Sequence, residues 1–187
     1  MADASNSQPA VPSPKPHAAA PGHGPAAEQG TDRLSPAGKD FLAAVQEALK
    51  DFHPQPGALF DLPQVHVESK DILEVCRRAK TDAKLQMEML SCLAAVDYKD
   101  HLQVVYFLYA LSLGQTLVIK TDLPNEAPRL STVTSLWAAA DWYEREAHDL
   151  FGVVFDGHPA LTPLLLYEGF EGRPGRKDFP FHDYQEF

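Results

Sequence analysis

Residues 101–124, HLQVVYFLYALSLGQTLVIKTDLP, constrain the fold more than any other part of this chain. The first arm is apolar at nearly every position, as a strand buried on both faces must be, and Leu113-Gly114 supplies a turn before a second apolar run. The segment reads as a β-hairpin ended by Pro124 and Pro128. Such a hairpin needs cover, and the flanking segments offer it. Ser35-Pro36 opens a helix, Ser as N-cap and Pro where its missing N–H costs nothing. Phe41, Val45, Leu49 and Phe52 then recur at helical spacing up to the HPQPG break.

A short strand at residues 58–61 and an alternating one in QVHVES follow, with Val65 and Val67 facing one way and His66 exposed on the other side. DILEVCRRAK returns to helical period, with Ile72, Val75, Cys76 and Ala79 on one face. LQMEML alternates like a strand, and residues 91–96 are read as turning helical. A further helix covers Trp142 to Gly152, then VVF forms a short strand before a Gly/Pro-rich stretch. Helices and strands in no strict alternation give an α+β fold: a two-layer domain with a small mixed or antiparallel sheet packed by helices, and an irregular C-terminal extension. Residues 1–34, rich in Pro, Ala, Gly and Ser, have almost nothing to bury and are expected to be a disordered tail; residues 35–187 form the folded domain. His17 and His23 in the tail are spacers rather than ligands.

Charge and motifs exclude several classes. A net charge of -10 argues against non-specific binding to nucleic acid or to an anionic membrane face. Two cysteines, Cys76 and Cys92, cannot supply the thiolates of an iron–sulfur cluster or a tetrahedral zinc, and read as buried small residues in a reducing compartment. The N-terminus lacks a signal peptide's apolar run of about 7 to 15 residues. The longest apolar stretch, VVYFLYALSL, falls short of the roughly 20 residues that span a bilayer, so membrane association is expected only through partners. GxGxxG, GxxxxGK[ST], GxSxG and HExxH do not occur.

An enzyme reading must therefore rest on the carboxylates and histidines of WYEREAHDLFG. On a helix Glu144 and His148 are four apart, as are Arg145 and Asp149, so both pairs can meet along one side. Trp137, Ala140, Tyr143, Ala147 and Leu150 or Phe151 make the opposite stripe, with Gly152 as C-cap. That describes an amphipathic helix with a solvated charged face; a Glu/His acid–base pair is the competing reading. His158, in FDGHP, and His182 and Asp183 are explained by turn chemistry better than by a metal cluster.

The run DWYEREAHDLFGVVFDGHPAL, continued by EGFEGRPGRKDFP and preceded by SCLAAVDY at residues 91–98, resembles the C subunit of the proton-pumping NADH:quinone oxidoreductase, respiratory complex I. The resemblance runs from about Leu34 to the end. It departs from the family's usual pattern at Thr162-Pro163, where basic residues are common, and at Pro174-Gly175; the chain also closes on DYQEF, where many relatives run on. The resemblance implies a cofactor-free, non-catalytic subunit of a complex that contains FMN, iron–sulfur clusters and quinone. It implies as partners the large quinone-site subunit and the cluster-bearing small subunit, at the cytoplasmic face of the plasma membrane. On this reading Trp142, Glu144, Arg145, Glu146, Asp149, Phe151, Gly152, His158 and Pro159 shape the domain and its contact face. Gly169, Glu171, Gly172, Arg173, Arg176, Lys177 and Asp178 belong to a loop lying against the partner, with the cations in interface ion pairs. The same module serving a hydrogenase or another quinone or ferredoxin oxidoreductase is one alternative. A free-standing carboxylate-dependent enzyme is the other.

Overall fold

A computed structural model of the chain describes residues 30–180. The Pro/Ala-rich tail with His17 and His23, and His182 and Asp183, lie outside these residues. Thr31–Arg33 makes a single 3-10 turn and Leu34 is buried in the core.

Five strands form one sheet in the order β1-β2-β5-β4-β3. β1 (Gln55–Leu59) and β2 (Leu62–His66) are an antiparallel hairpin turning at Phe60-Asp61, slightly earlier in the chain than the alternation suggests. β2 pairs parallel with β5 (Gln115–Pro124), matching Gln64 to Val118 and His66 to Lys120. β5 pairs antiparallel with β4 (His101–Ala110), the expected hairpin, and β4 pairs antiparallel with β3 (Met89–Asp97). Residues 91–96 are therefore strand and not helix. Small residues such as Ser91, Ala94 and Ala95 suit either state, and the cross-strand partners Leu93↔Tyr106 and Ala95↔Val104 decide it. A bulge between Leu90 and Cys92 blurs the period-2 signal that would have marked the strand.

The helices are α1 (Pro36–Ala48), α2 (Ile72–Thr81) and α3 (Ala140–Phe151). Ser35 caps α1, its hydroxyl accepting from Gly38 N–H at 3.1 Å, with Pro36 at the first position. α3 is bracketed by β6 (Arg129–Ser131) and β7 (Val154–Asp156), which pair parallel to each other. From residue 157 to 180 the chain runs as a strap without regular helix or strand.

One apolar cluster joins Val45 of α1 and its C-cap Leu49, Val75 and Ala79 of α2 and Ala147 of α3 to the sheet face carrying Leu102, Val104, Tyr106, Leu108, Leu117 and Ile119. The opposite face of β4 carries His101, Gln103, Phe107 and Tyr109, all only half-buried. The hairpin is thus fully buried on one face rather than both. A two-layer fold places its helices on a single side, and the second face needs apolar residues only where strands crowd, as at Val105 and Val118.

Candidate docking surface on α3 and the C-terminal strap

α3 ends at Gly152, which adopts the left-handed conformation (φ 78°) and donates its N–H to His148 O at 2.9 Å. The strap returns across this end. Gly175 donates to Leu150 O at 2.9 Å, and a Cβ on Gly175 would come within 2.9 Å of that oxygen and 2.8 Å of the Phe151 ring. Only a glycine permits the approach. Arg173 lies over Gly152 and donates to Asp149 O at 3.2 Å.

The charged side of α3 is solvated only in part, at Glu146 above all, which corrects the amphipathic reading. Glu144 has no exposed surface and Asp149 almost none. Neither makes the expected contact one turn along. Glu144 accepts from Thr132 Oγ1 at 2.6 Å and Val133 N–H at 2.8 Å. Asp149 accepts from the backbone N–H groups of Leu164, Leu165 and Leu166 at 2.6, 2.8 and 3.2 Å. His148 instead uses Nδ1 toward Val153 O at 2.9 Å. Arg145 donates to Thr162 O and Pro163 O at 3.0 and 2.9 Å, and stacks over Trp142 with 5.7 Å to the ring centroid. Asp149 and Arg145 thus satisfy backbone groups of a strap that has no ladder of its own, and Glu144 ties the loop after β6 to the helix; helical spacing alone cannot reveal such partners.

Electrostatics separates the two buried acids. Burial raises Glu144 to about 7; the Thr132 and Val133 hydrogen bonds oppose the rise and the Asp141 charge adds to it. Burial also acts on Asp149, but its three N–H donors outweigh it and hold the carboxyl below the usual value. His158 is the turn residue expected after Gly157 (φ 83°), yet its side chain is fully buried, with Nε2 3.4 Å from Asp141 Oδ1 and 3.9 Å from Glu144 Oε2.

At the far end of the strap Arg176 donates to Phe151 O at 2.7 Å, Asn125 Oδ1 at 3.2 Å and Asn125 O at 3.3 Å. Lys177 donates its backbone N–H to Asp97 Oδ2 at 2.8 Å and sets its ammonium over the Tyr98 ring. Asp97 also accepts from Lys99 N–H; burial works against its charge, but these two bonds with Arg176 and Lys177 nearby hold it below the usual carboxylate range. Within the isolated chain, then, Arg173 and Arg176 make intramolecular bonds. Thr132, Asn125 and Asp97 are the residues that sequence reasoning missed. Asp97 was hidden by the helical assignment of its strand, and nothing in the local pattern ties Thr132 or Asn125 to partners 12 and 51 residues away.

Three large apolar residues also face outward. Trp142 is 63%, Leu165 59% and Tyr167 71% exposed, and Ala139, Tyr143 and Leu164 floor a groove between Trp142 and Leu165. Glu146, Pro159, Gly169, Glu171, Gly172 and Asp178 are exposed around the strap.

The chain resembles known proteins over the region just described. The family model of the respiratory-chain NADH dehydrogenase 30 kDa subunit matches residues 65–185. The NADH-quinone oxidoreductase C subunit of Salinispora tropica is 36% identical over 151 residues, covering 75% of this chain, which spans 62% of the relative's length. The C 2 form of that subunit from Rhizobium meliloti is 39% identical, covering 70% and 72% of the two chains, and the C subunit of Roseiflexus castenholzii is 35% identical, covering 74% and 82%. Among solved structures, a chain of the archaeal membrane-bound sulfane sulfur reductase, a respiratory membrane complex, superposes with TM-score 0.67 at 26% identity, over 77% of this chain and 86% of that one. A trypsin-resistant fragment of Nqo5 gives 0.54 at 26% identity, over 64% and 98%. The matched residues take in α2 and strands β3 to β5 as well as the whole of α3 and all of the described strap: the chain belongs to the respiratory-chain NADH dehydrogenase 30 kDa subunit family.

Proposed function

We propose that this chain is a non-catalytic subunit of a membrane-associated NADH:quinone oxidoreductase, docking through α3 and the strap and supporting electron transfer from NADH to quinone. The observation that carries this reading is the exposed Trp142–Leu165–Tyr167 surface, set on a segment that Arg145, Asp149 and Arg176 tie down internally. An apolar patch held by a rigid polar scaffold suits association better than turnover. The partners would be the large quinone-site subunit and the cluster-bearing small subunit, and the FMN, iron–sulfur clusters and quinone would belong to the rest of the complex. Cys76 lies buried in the core and Cys92 on β3, a poor donor set for a cluster. No helix of the described residues is long and apolar enough to cross a membrane, which fits peripheral attachment at the cytoplasmic face through partners.

Glu146, Pro159, Glu171 and Asp178 would lie in or near this interface, with Lys177 on its rim; Arg145, Arg173 and Arg176 would act by shaping the strap. Trp142→Asp together with Leu165→Asp should lower the amount of intact complex on a native gel while turnover per assembled complex stays near normal. Full assembly with turnover lost would overturn the docking reading in favour of catalysis. A second reading, the same module in a complex with another electron donor, is supported by the sulfane sulfur reductase chain. The relatives of 35–39% identity carry NADH-quinone names, which favours the first. The proteins that copurify with the tagged chain distinguish the two.

A further inference from the structure

The two outer strands of the sheet are protected to different degrees. β1 is five residues long, carries Pro56 and has the Thr31–Arg33 turn packed beside it. β3 is nine residues long, and from Met89 to Val96 it holds neither a proline nor a charge, the residues that keep an edge from pairing further. Tyr98 N–H donates to His101 O at 2.9 Å across the Lys99-Asp100 turn, and from that pair the antiparallel alternation runs back along the strand. It directs the backbone groups of Cys92, Ala94 and Val96 at β4, and those of Leu93, Ala95 and Asp97 away from it. Both ends of this outward row are closed. Tyr143 donates to Ser91 O at 2.8 Å, and the strap crosses at Asp97, whose carboxylate accepts from Lys177 N–H. Between these points, among the described residues, nothing hydrogen-bonds to the outward groups of Leu93 and Ala95.

A groove lies along this window. Its floor is residues 92–95, and its wall is the α3 face made by Tyr143, Glu146, Ala147 and Phe151. Glu146 is the one charged residue in that lining. Tyr143 and Glu146 also border the groove of Trp142 and Leu165, so the window continues the apolar surface described above. We propose that a partner subunit lays a short extended segment, apolar with one Lys or Arg, along this window as a sixth strand of the sheet. The proposal deepens the docking reading and rests on it. Outward backbone groups two residues apart match an extended chain, whereas a helix has already paired its own. Alternate side chains of such a strand would meet Ala147 and Phe151 on the helix side and Ala94 and Val96 on the other, with its cation at Glu146. Charge disfavours two other occupants. A second copy brings a net charge of -10 and its own Glu146, and the closing FHDYQEF of this chain brings Asp183 and Glu186.

The test compares amide hydrogen exchange in the isolated full chain and in the purified complex. The Leu93 and Ala95 amides should slow about a hundredfold or more on assembly. Ala95→Pro removes an outward N–H and no bond to β4, a change that an edge strand tolerates. That variant should keep wild-type protection in β4 and β5 and lower the intact complex on a native gel about tenfold, and Glu146→Lys should lower it to a similar extent. Unchanged exchange at Leu93 and Ala95 in a complex that still depends on Trp142 and Leu165 overturns the sixth strand and leaves the docking reading standing. A tagged chain that copurifies with no other subunit overturns both. Slow exchange of these amides in the isolated chain that grows with concentration gives the window to a second copy, and slow exchange that is lost on deleting residues 181–187 gives it to the chain's own terminus; either result overturns the proposal. Should Ala95→Pro not fold, the wild-type exchange comparison and Glu146→Lys decide.

Discussion

Two parts of the molecule are held together by different means. Around β4 and β5 the ladder satisfies the backbone and the side chains contribute apolar contact: Leu102, Val104, Leu117 and Ile119 have no exposed surface. In the strap the order is reversed. No regular element pairs its backbone, so Asp149 and Arg145 of α3 supply partners to it, while Arg173 and Arg176 of the strap donate to the α3 carbonyls of Asp149 and Phe151, and its apolar residues Leu165 and Tyr167 are left outside. Polar groups shaping an irregular segment leave it free to present apolar surface, which a segment folded by hydrophobic burial cannot do.

The largest expected effect lies in the sheet. Ile119→Ala should cost about 2–5 kcal/mol of global stability, read as a lower urea midpoint, with protection lost from sheet and strap together. Asp149→Ala leaves three backbone donors unmet and should cost about 3 kcal/mol, but locally. Limited proteolysis should then cut within residues 157–180 while the sheet amides stay protected. Equal loss of sheet protection in both variants would show that the two parts unfold as one and break the comparison.

pH sharpens it further. Asp149 and Asp97 are held below the ordinary carboxyl value of 3.8, so the stability they contribute is present above that pH and is lost as pH falls through their lowered values. Glu144 acts in the opposite sense, its contribution being lost as pH rises from 4.5 toward 7. Strap protection measured by exchange should therefore be greatest between these limits, at mildly acid pH, while β4 and β5 follow neither. Gly152→Ala should cost about 1–2 kcal/mol in thermal unfolding, from the left-handed backbone and the displaced Arg173 side chain. Smallest of all, Trp142→Ala should change stability by about 0.5 kcal/mol or less while lowering assembly with the partner.

The two parts were unequally legible in the sequence. α1, α2 and the β4–β5 hairpin follow from local period, capping and turn residues, since the interactions that stabilise them lie within or beside the element. The α3 helix itself was equally plain, from its apolar stripe and the Gly152 C-cap. Its charged side was misread because Glu144 and Asp149 look like ordinary surface acids until Thr132 and Leu164–Leu166 are brought against them. β6 is three residues long and pairs with β7 across the whole of α3, leaving no local pattern to find. The strap is irregular by composition, as its Gly and Pro residues indicate, but the points that anchor it are tertiary.

The parallel pairing of β2 with β5 also governs the order in which the molecule can be made. β1, β2, α1 and α2 all leave the ribosome before β5, yet β2 has only the two-stranded β1–β2 hairpin to join until residues 118–120 are available. A lone hairpin of this size is marginal in water. The β3–β4–β5 meander closes over short connections, and closing the long loop back to β2 is the entropically costly step that brings the apolar sides of α1 and α2 onto the sheet. During synthesis the N-terminal half consequently waits, with its greasy surfaces uncovered, for the C-terminal half, and the interval in which this chain is exposed to aggregation is set by how soon β5 emerges.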